Sequence, residues 1–174
     1  MIQFGNIILR ALEPEDLEVL YKWENDTDLW TISNTLTPYS KYVLRQFIEE
    51  SAKSIYETCQ QRFMIDLAKE NVTIGTVDIF DFDVTNQRAG IGILIADEKY
   101  RKKGYALQSI RCVTNYCFDI LKLHQIYCDI MKTNTESIAL FKKAGFVETG
   151  TKKEWIKTKE GYIDQYIFQL INEK

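Results

Sequence analysis

The sequence predicts an α/β fold in one mixed domain, and three observations predict it. Apolar residues recur at helical spacing in the early part of the chain, then switch to a period of two from Arg62 onward. A glycine, Gly104, opens a long segment with helical periodicity directly after those alternating stretches. The rest of the chain runs strand, short helix and hairpin, with no linker and no internal repeat. A length of 174 residues suits one compact domain with a sizeable core, so 1–174 is read as a single domain.

The elements follow in order. Ile7–Leu12 reads as a short strand. Glu13, Pro14, Glu15 and Asp16 then open a helix, because proline suits the first turn and acids favour the positive end of the dipole. Leu17, Leu20 and Tyr21 share one face of it. The stretch 25–40 has no clean period and reads as a loop with one irregular turn. A second helix begins near Ser40, with Leu44, Phe47, Ile48 and Ile55 at helical spacing. "RFMIDLA", "IGTVDIFDF" and "RAGIGILIA" are three successive strands joined by short polar turns. The helix after Gly104 presents Ala106, Ile110, Val113, Cys117 and Leu121 to the core. "QIYCDIM" is a further strand, and "TNTESIALFKKAGF" a short helix. Thr133 and Glu136 have capping-box spacing, and Gly145 stands where a left-handed C-terminal cap is wanted. Two last strands, 146–155 and 162–170, flank the turn "TKEG".

Composition narrows the class. Hydrophobic residues make up 45% and charged residues 27%, which is globular. A net charge of −3 argues against a nucleic-acid partner bound by bulk electrostatics. Cys59, Cys112, Cys117 and Cys128 form no C-x-x-C pair, and the single His124 completes no zinc set, so no metal is expected. Four reduced thiols point to a cytoplasmic protein. The N-terminus carries no signal-peptide pattern, and no stretch approaches the roughly 18 apolar residues of a membrane span, so no membrane partner is expected.

The chemistry begins at "YRKKGYALQSI", residues 100–110. An apolar strand ends in a short loop, and basic residues then run into Gly104 and a helix. First-turn amides lack intrahelical partners and point outward with the positive dipole end, which favours a phosphate. Gly104 lets the backbone come close, while Arg101, Lys102 and Lys103 add positive charge. No Walker sequence is present, so this is a local anion site of another kind.

Arg101-x-x-Gly104-x-Ala106 is followed, one helix and one strand later, by Asn134-x-x-Ser137-x-x-Leu140-Phe141-x-Lys143-x-Gly145-Phe146. In this order and spacing the pair resembles the GNAT superfamily of acyl-CoA-dependent N-acyltransferases. The likeness covers nearly the whole chain. In detail it is similar to the branch that holds spermidine/diamine and ribosomal-protein N-terminal acetyltransferases. The resemblance implies a single mixed, mostly antiparallel sheet with helices on both faces. It implies acetyl-CoA as cosubstrate, with its pyrophosphate on the backbone amides from Arg101 through Lys102, Lys103, Gly104 and Tyr105 to Ala106. Ile93, Leu94 and Ile95 would hold the pantetheine like an added strand. Asn134 would contact the arm beyond splayed strands, with Phe141 and Lys143 on the same helix beside it. Where the family loop often has a second glycine, this chain has Lys102, which is strained if the position needs a positive φ.

The implied reaction is direct attack of a neutral amine on the thioester. An alkylammonium has a pKa of about 10, so a base or water chain has to remove a proton. Relatives carry tyrosine as general acid at the position of Phe141, which has no proton to give. A general acid is worth about 10²–10⁴ in rate, and a thiol of pKa about 8.5 leaves tolerably without one, so a slower enzyme is expected. Water, Tyr39, Tyr100 and Tyr105 remain open as replacements. Relatives often place glutamate on the strand before the loop, where Gly90 and Gly92 stand here. Asp78 and Asp81 are the acidic candidates for catalysis, and strand alternation sends them to opposite faces. The expected acceptor is a small amine, polyamine or diamine first and a peptide N-terminus second. A homo-oligomer is compatible with this reading. Two alternatives stand beside it: a non-catalytic acyl-CoA-binding domain, motivated by Phe141, and an antibiotic-modifying acetyltransferase.

Overall fold

A computed structural model describes residues 2–33 and 35–173. Eight strands form one sheet: β1 (Ile2–Phe4), β2 (Ile7–Arg10), β3 (Gln61–Leu67), β4 (Val72–Asp83), β5 (Arg88–Ile95), β6 (Gln125–Met131), β7 (Val147–Thr158) and β8 (Gly161–Ile171). Their spatial order is β1-β2-β3-β4-β5-β6-β8-β7. Every pairing is antiparallel except β5 with β6. Six α-helices are described: α1 (Leu17–Glu24), α2 (Thr27–Ser33), α3 (Lys41–Glu50), α4 (Ile55–Thr58), α5 (Tyr105–Asn115) and α6 (Thr135–Lys143).

Strand alternation divides the core between the two faces. Met64 packs with Leu12, Leu20, Leu44 and Ile48 under α1 and α3. Its neighbours Phe63 and Ile65 point the other way, into a larger core with Val77, Ile91, Ile126 and Phe168. Ile110, Val113 and Cys117 of α5 and Phe141 of α6 close that side. The start of α1 is held by Asp16, which is 6% exposed. Its carboxylate accepts from Arg10 Nη1 and Nη2 at 2.7 and 2.8 Å and from the Glu13 amide at 2.9 Å. Burial alone would raise the Asp16 carboxyl, but these bonds hold it below the ordinary range.

Several expectations need correction. The first strand ends at Arg10 and pairs with a preceding strand, β1, across a turn in which Gly5 has φ 60°. Tyr21 is exposed, and Trp23 packs on the α1–α3 core in its place. Part of the 25–40 stretch is helical, as α2, and residue 34 of it lies outside the described residues. Ile55 belongs to a separate short helix capped by Ser54, because α3 stops at Glu50 with Ser51 as its C-cap. α6 is capped by Asn134, not Thr133: Asn134 Oδ1 accepts from the Ser137 amide at 3.1 Å. Gly145 does take the left-handed position, at φ 99°, and its amide and that of Phe146 return to Lys142 and Phe141 carbonyls.

Candidate active site

β5 and β6 pair only over Arg88–Gly90 against Gln125–Tyr127. Beyond Gly90 the two strands part: β6 follows β8 along its whole length, and β5 stays with β4 up to Ile95. The parting leaves one edge of β5, at Ile91–Ile95, without a strand partner. An unpaired edge offers its amides and carbonyls to any extended ligand.

The loop after β5 aims a second set of donors at the same gap. Asp97 caps a single turn, accepting from the Lys99 amide at 3.0 Å. Arg101 Nε and Nη2 each donate at 3.0 Å, to the carbonyls of Ile95 and Ala96. That guanidinium therefore ties the loop to the strand end, with its Nε and Nη2 donors spent on backbone carbonyls. Lys102 and Gly104 both adopt positive φ, 60° and 81°. Lys102 thus carries the strain its position threatened, about 1–2 kcal/mol. Gly104 is the N-cap of α5, its carbonyl accepting from the Gln108 amide at 3.1 Å. A Cβ built on Gly104 meets nothing within 4 Å, so the loop leaves an open cradle there.

A cavity of about 440 Å³ joins these features. It runs from Ile93, Leu94 and Ile95 past Arg101, Lys102, Gly104 and Ala106 to Asn134 and Lys143 of α6. Of the cofactor residues singled out by the sequence, Lys103, Tyr105 and Phe141 stand outside it: the Lys103 ammonium lies 5.9 Å from the Tyr100 ring centre, Tyr105 packs against the core and Phe141 within it. Tyr100, Leu107, Glu136, Ser137 and Leu140 also line it and were not singled out for this role. Ser137 and Leu140 were legible in principle, at helical spacing from Asn134. Glu136 was not: it meets Lys102 at 3.1 Å only because α6 crosses in front of the loop.

A second cavity, about 380 Å³, opens through the parted strands and is lined by Gly92, Phe141, Trp155 and Gln165 among others. It shares Ile93, Asn134 and Ser137 with the first. Phe141 lines only this second cavity, is 4% exposed, and stacks edge-to-face on Phe146 at 5.1 Å. Phe141→Tyr is expected to change stability by less than about 1 kcal/mol, since the added hydroxyl can emerge into the cavity instead of being buried unpaired. Urea unfolding alongside CoA calorimetry checks this; a loss of both would make Phe141 a packing residue alone.

A third, open cavity of about 580 Å³ lies next in line and shares Asp129 with the second. Asp81, Asp83 and Tyr127 line it, with Arg88 and Lys152 as local cations. Asp81 sits at a break in the β4–β5 register with φ 49° and accepts from Tyr127 Oη at 3.1 Å. Burial first, and then the neighbouring Asp81 carboxylate, pushes the Tyr127 phenol up to about 12. Asp78 lies elsewhere. Its two oxygens accept from Arg62 Nε and Nη2 at 2.6 and 3.1 Å, and Arg62 also pairs with Glu24 at the end of α1. The two aspartates are therefore not brought together. The glutamate position of relatives is closed at Gly90, where a Cβ would come within 2.2 Å of the Phe80 ring.

The arrangement fits acetyl-CoA. It supplies outward first-turn amides, lysine charge, an open cradle and a free strand edge within one cavity. The sequence model of the Acetyltransferase (GNAT) domain family matches residues 6–147. The chain belongs to the GNAT acetyltransferase family.

Membership makes it an N-acetyltransferase that uses acetyl-CoA. Among GNAT relatives, it is 30% identical to the SPbeta prophage-derived N-acetyltransferase YokL of Bacillus subtilis (strain 168), over 97% of this chain and 92% of that one. The spermidine N-acetyltransferase of Vibrio cholerae, solved with CoA and spermine, superposes with a TM-score of 0.87 at 25% identity, covering 97% of each chain. A dodecameric structure of the Vibrio cholerae enzyme superposes at 0.78, with 26% identity over 95% of this chain and 94% of that one. Among the described residues, no helix of this GNAT chain is long and apolar enough to cross a membrane.

Proposed function

We propose that this enzyme transfers an acetyl group from acetyl-CoA to a primary amine, a polyamine or diamine for preference, by direct attack. The observation that carries the reading is a series of three neighbouring cavities, the first and second sharing Ile93, Asn134 and Ser137 and the second and third sharing Asp129. One is shaped for a CoA arm, the next opens through the parted strands, and the last bears carboxylates. The spermine-bound neighbour supports the choice of amine, and the dodecameric neighbour favours a homo-oligomer of this domain. A cytoplasmic place for residues 1–174 belongs to the same reading.

Bound acetyl-CoA supplies an acetyl thioester. Everything else is this chain's work. The amides of residues 101–106 hold the pyrophosphate, with Lys102 and Lys143 adding charge. The β5 edge at Ile93–Ile95 orients the arm, and Asn134 flanks it from the start of α6. Strand amides at the edge donate to the developing oxyanion. Asp83 pairs with Arg88 at 3.2 Å and Asp129 with Lys152, so Asp81, hydrogen-bonded to Tyr127, is the carboxylate left to attract an ammonium and stands on its route as a proton acceptor. Asp78 serves as a positioning residue that fixes Arg62 against the end of α1.

The three buried cysteines argue for direct attack. Burial pushes the Cys112 thiol up to about 11 and the Cys117 thiol up to about 12, and Cys128 is raised further by burial and Asp129. Buried thiols of this kind hold little thiolate at neutral pH. Steady-state kinetics with spermidine, short diamines and a peptide panel are expected to be sequential, with polyamines the best acceptors. The rate at subsaturating amine should rise up to about tenfold per pH unit above neutrality, as the ammonium of pKa about 10.4 loses its proton. A trapped acetyl-cysteine would rule out direct attack, and a preference for peptides would rule out the amine class.

A further inference from the structure

We propose that Asp129 and Trp155 form a subsite for the second, non-reacting ammonium of a diamine acceptor, and that Lys152 occupies it as a tethered stand-in. The inference rests on the reading that the acceptor is an amine entering through the parted strands. The Lys152 ammonium donates to Asp129 Oδ2 and lies 5.3 Å from the centre of the Trp155 ring. A carboxylate together with an aromatic ring suits an alkylammonium, since one supplies full charge and the other a negative π face. The structure therefore already holds a primary ammonium at this place. The Lys152 side chain is 29% exposed, against 76% for its neighbour Lys153, whose ammonium donates to Asp164 at 3.0 Å.

The backbone is shaped for this meeting. Lys152 pairs with Gln165 and Ile156 with Ile163, so four steps of β7 face two steps of β8 and β7 bulges. Glu154 takes φ 49° in the bulge, and its amide donates to Asp164 Oδ1 at 3.1 Å. Strict alternation would send Trp155 to the face opposite Lys152; the bulge re-aims it into the second cavity. Gln165, the register partner of Lys152, lines the same cavity, and its Oε1 is buried without a donor among the described residues. An ammonium carries three N–H donors. Lys152, anchored on β7, pairs with Asp129 and makes no bond to Gln165. A free ammonium can turn one N–H to each.

Position sets which nitrogen the subsite takes. The second cavity meets the first at Ile93, Asn134 and Ser137, where the thioester has to emerge, and meets the third at Asp129. Attack belongs to one end and the Asp129–Trp155 pair to the other, so the pair holds the nitrogen that does not react. Lys152 lines the third, open cavity, into which its side chain can withdraw by rotamer changes alone. Binding a diamine then exchanges one ammonium for another at Asp129. Such an exchange returns little free energy, so Lys152 holds down the advantage of a diamine over a monoamine. It is the residue that sets how strongly the enzyme tells the two apart.

The test is the ratio of kcat/KM for 1,4-diaminobutane to that for butylamine. Lys152→Met keeps the apolar stem and removes the ammonium, so the ratio should rise about tenfold, the scale of a half-buried cation–π and charge contact. Lys152→Arg grips Asp129 with two parallel donors and should lower the ratio. Adding Asp129→Asn to Lys152→Met should cancel most of the rise. Lys153→Met removes the same charge one residue away, outside both cavities, and should leave the ratio where it was; it separates a subsite from a general change in field. Calorimetry of the diamine on each CoA-loaded variant reads the same differences without turnover. CoA affinity is the folding control, and where Lys152→Met loses it, the direction of change in Lys152→Arg decides instead. A ratio unchanged in Lys152→Met, or one that rises equally in Lys153→Met, overturns the subsite. If the unmodified protein acetylates neither amine, the amine reading falls and the subsite with it; turnover of both amines at a ratio indifferent to Lys152 removes the subsite alone.

Discussion

Gly104→Val is expected to cut CoA affinity by about 10² or more. Gly104 has φ 81°, which a β-branched residue tolerates poorly, and its side-chain position opens on the cradle, not on protein. Two isopropyl methyls would stand where an anion has to approach the amides. Losing even one or two charge-assisted hydrogen bonds at about 1.5–3 kcal/mol each amounts to about two decades in affinity. The backbone strain adds a separate cost of about 1–2 kcal/mol in stability. Gly104→Ala divides these effects: it shares most of the strain but little of the bulk, so its stability should fall with only part of the loss in affinity. Calorimetry with CoA and urea unfolding of both variants make the comparison. Unchanged CoA affinity in Gly104→Val would remove the pyrophosphate from this loop.

Arg62→Met is expected to lower stability by about 3 kcal/mol. Arg62 is the sole cation between Asp78 and Glu24 among the described residues, with its guanidinium 5.1 Å from the centre of the Phe47 ring. Although burial works against its charge, the attraction of Asp78 and then Glu24 holds its pKa above the ordinary arginine value. Methionine keeps much of the volume but leaves two carboxylates facing a half-buried site. Breaking a buried pair by removing one partner costs about 3–5 kcal/mol, and the lower end applies because the Asp78 side chain keeps 33% of its exposure. Adding Asp78→Asn and Glu24→Gln to the same variant should recover a large part of the loss, since neutral partners need no counter-charge. Urea midpoints of the single and triple variants test this. A single variant as stable as the unmodified protein would show that α1 is not pinned to the sheet through Arg62.

Much of the site was legible from short-range pattern. Gly104 and the basic run before it marked a helix start with outward amides, and the structure has that helix with Gly104 as its cap. The Asn134–Lys143 segment marked the second wall, although the cap is Asn134 and Thr133 is only its neighbour. Lys102 was a residue type at odds with its position, and its φ of 60° shows the conflict is real. Other features had no sequence signal. Arg101 looked like a phosphate ligand, yet its donors go to the carbonyls of Ile95 and Ala96. Asp78 looked like a free acid, but Arg62, 16 residues away, donates to it while also donating to Glu24 across 38 residues.

The sequence by itself did not determine β1, α2 or α4, but it determined strands β2 to β8, the helices α1, α3, α5 and α6, and the family. These depend on spacings of two to four residues, on caps and on glycine conformations, all of which act within one or two turns of chain. Tertiary structure alone decided where the sheet parts and what meets at the gap. A strand edge is left free only because β6 follows β8 and β5 follows β4, and neither choice is written in β5 itself. Ile93, Asn134 and Ser137 come to line both cavities at once only when α6 is laid across the open seam. Long-range packing sets that crossing, because it buries Phe141, Phe146 and Phe168 in one core.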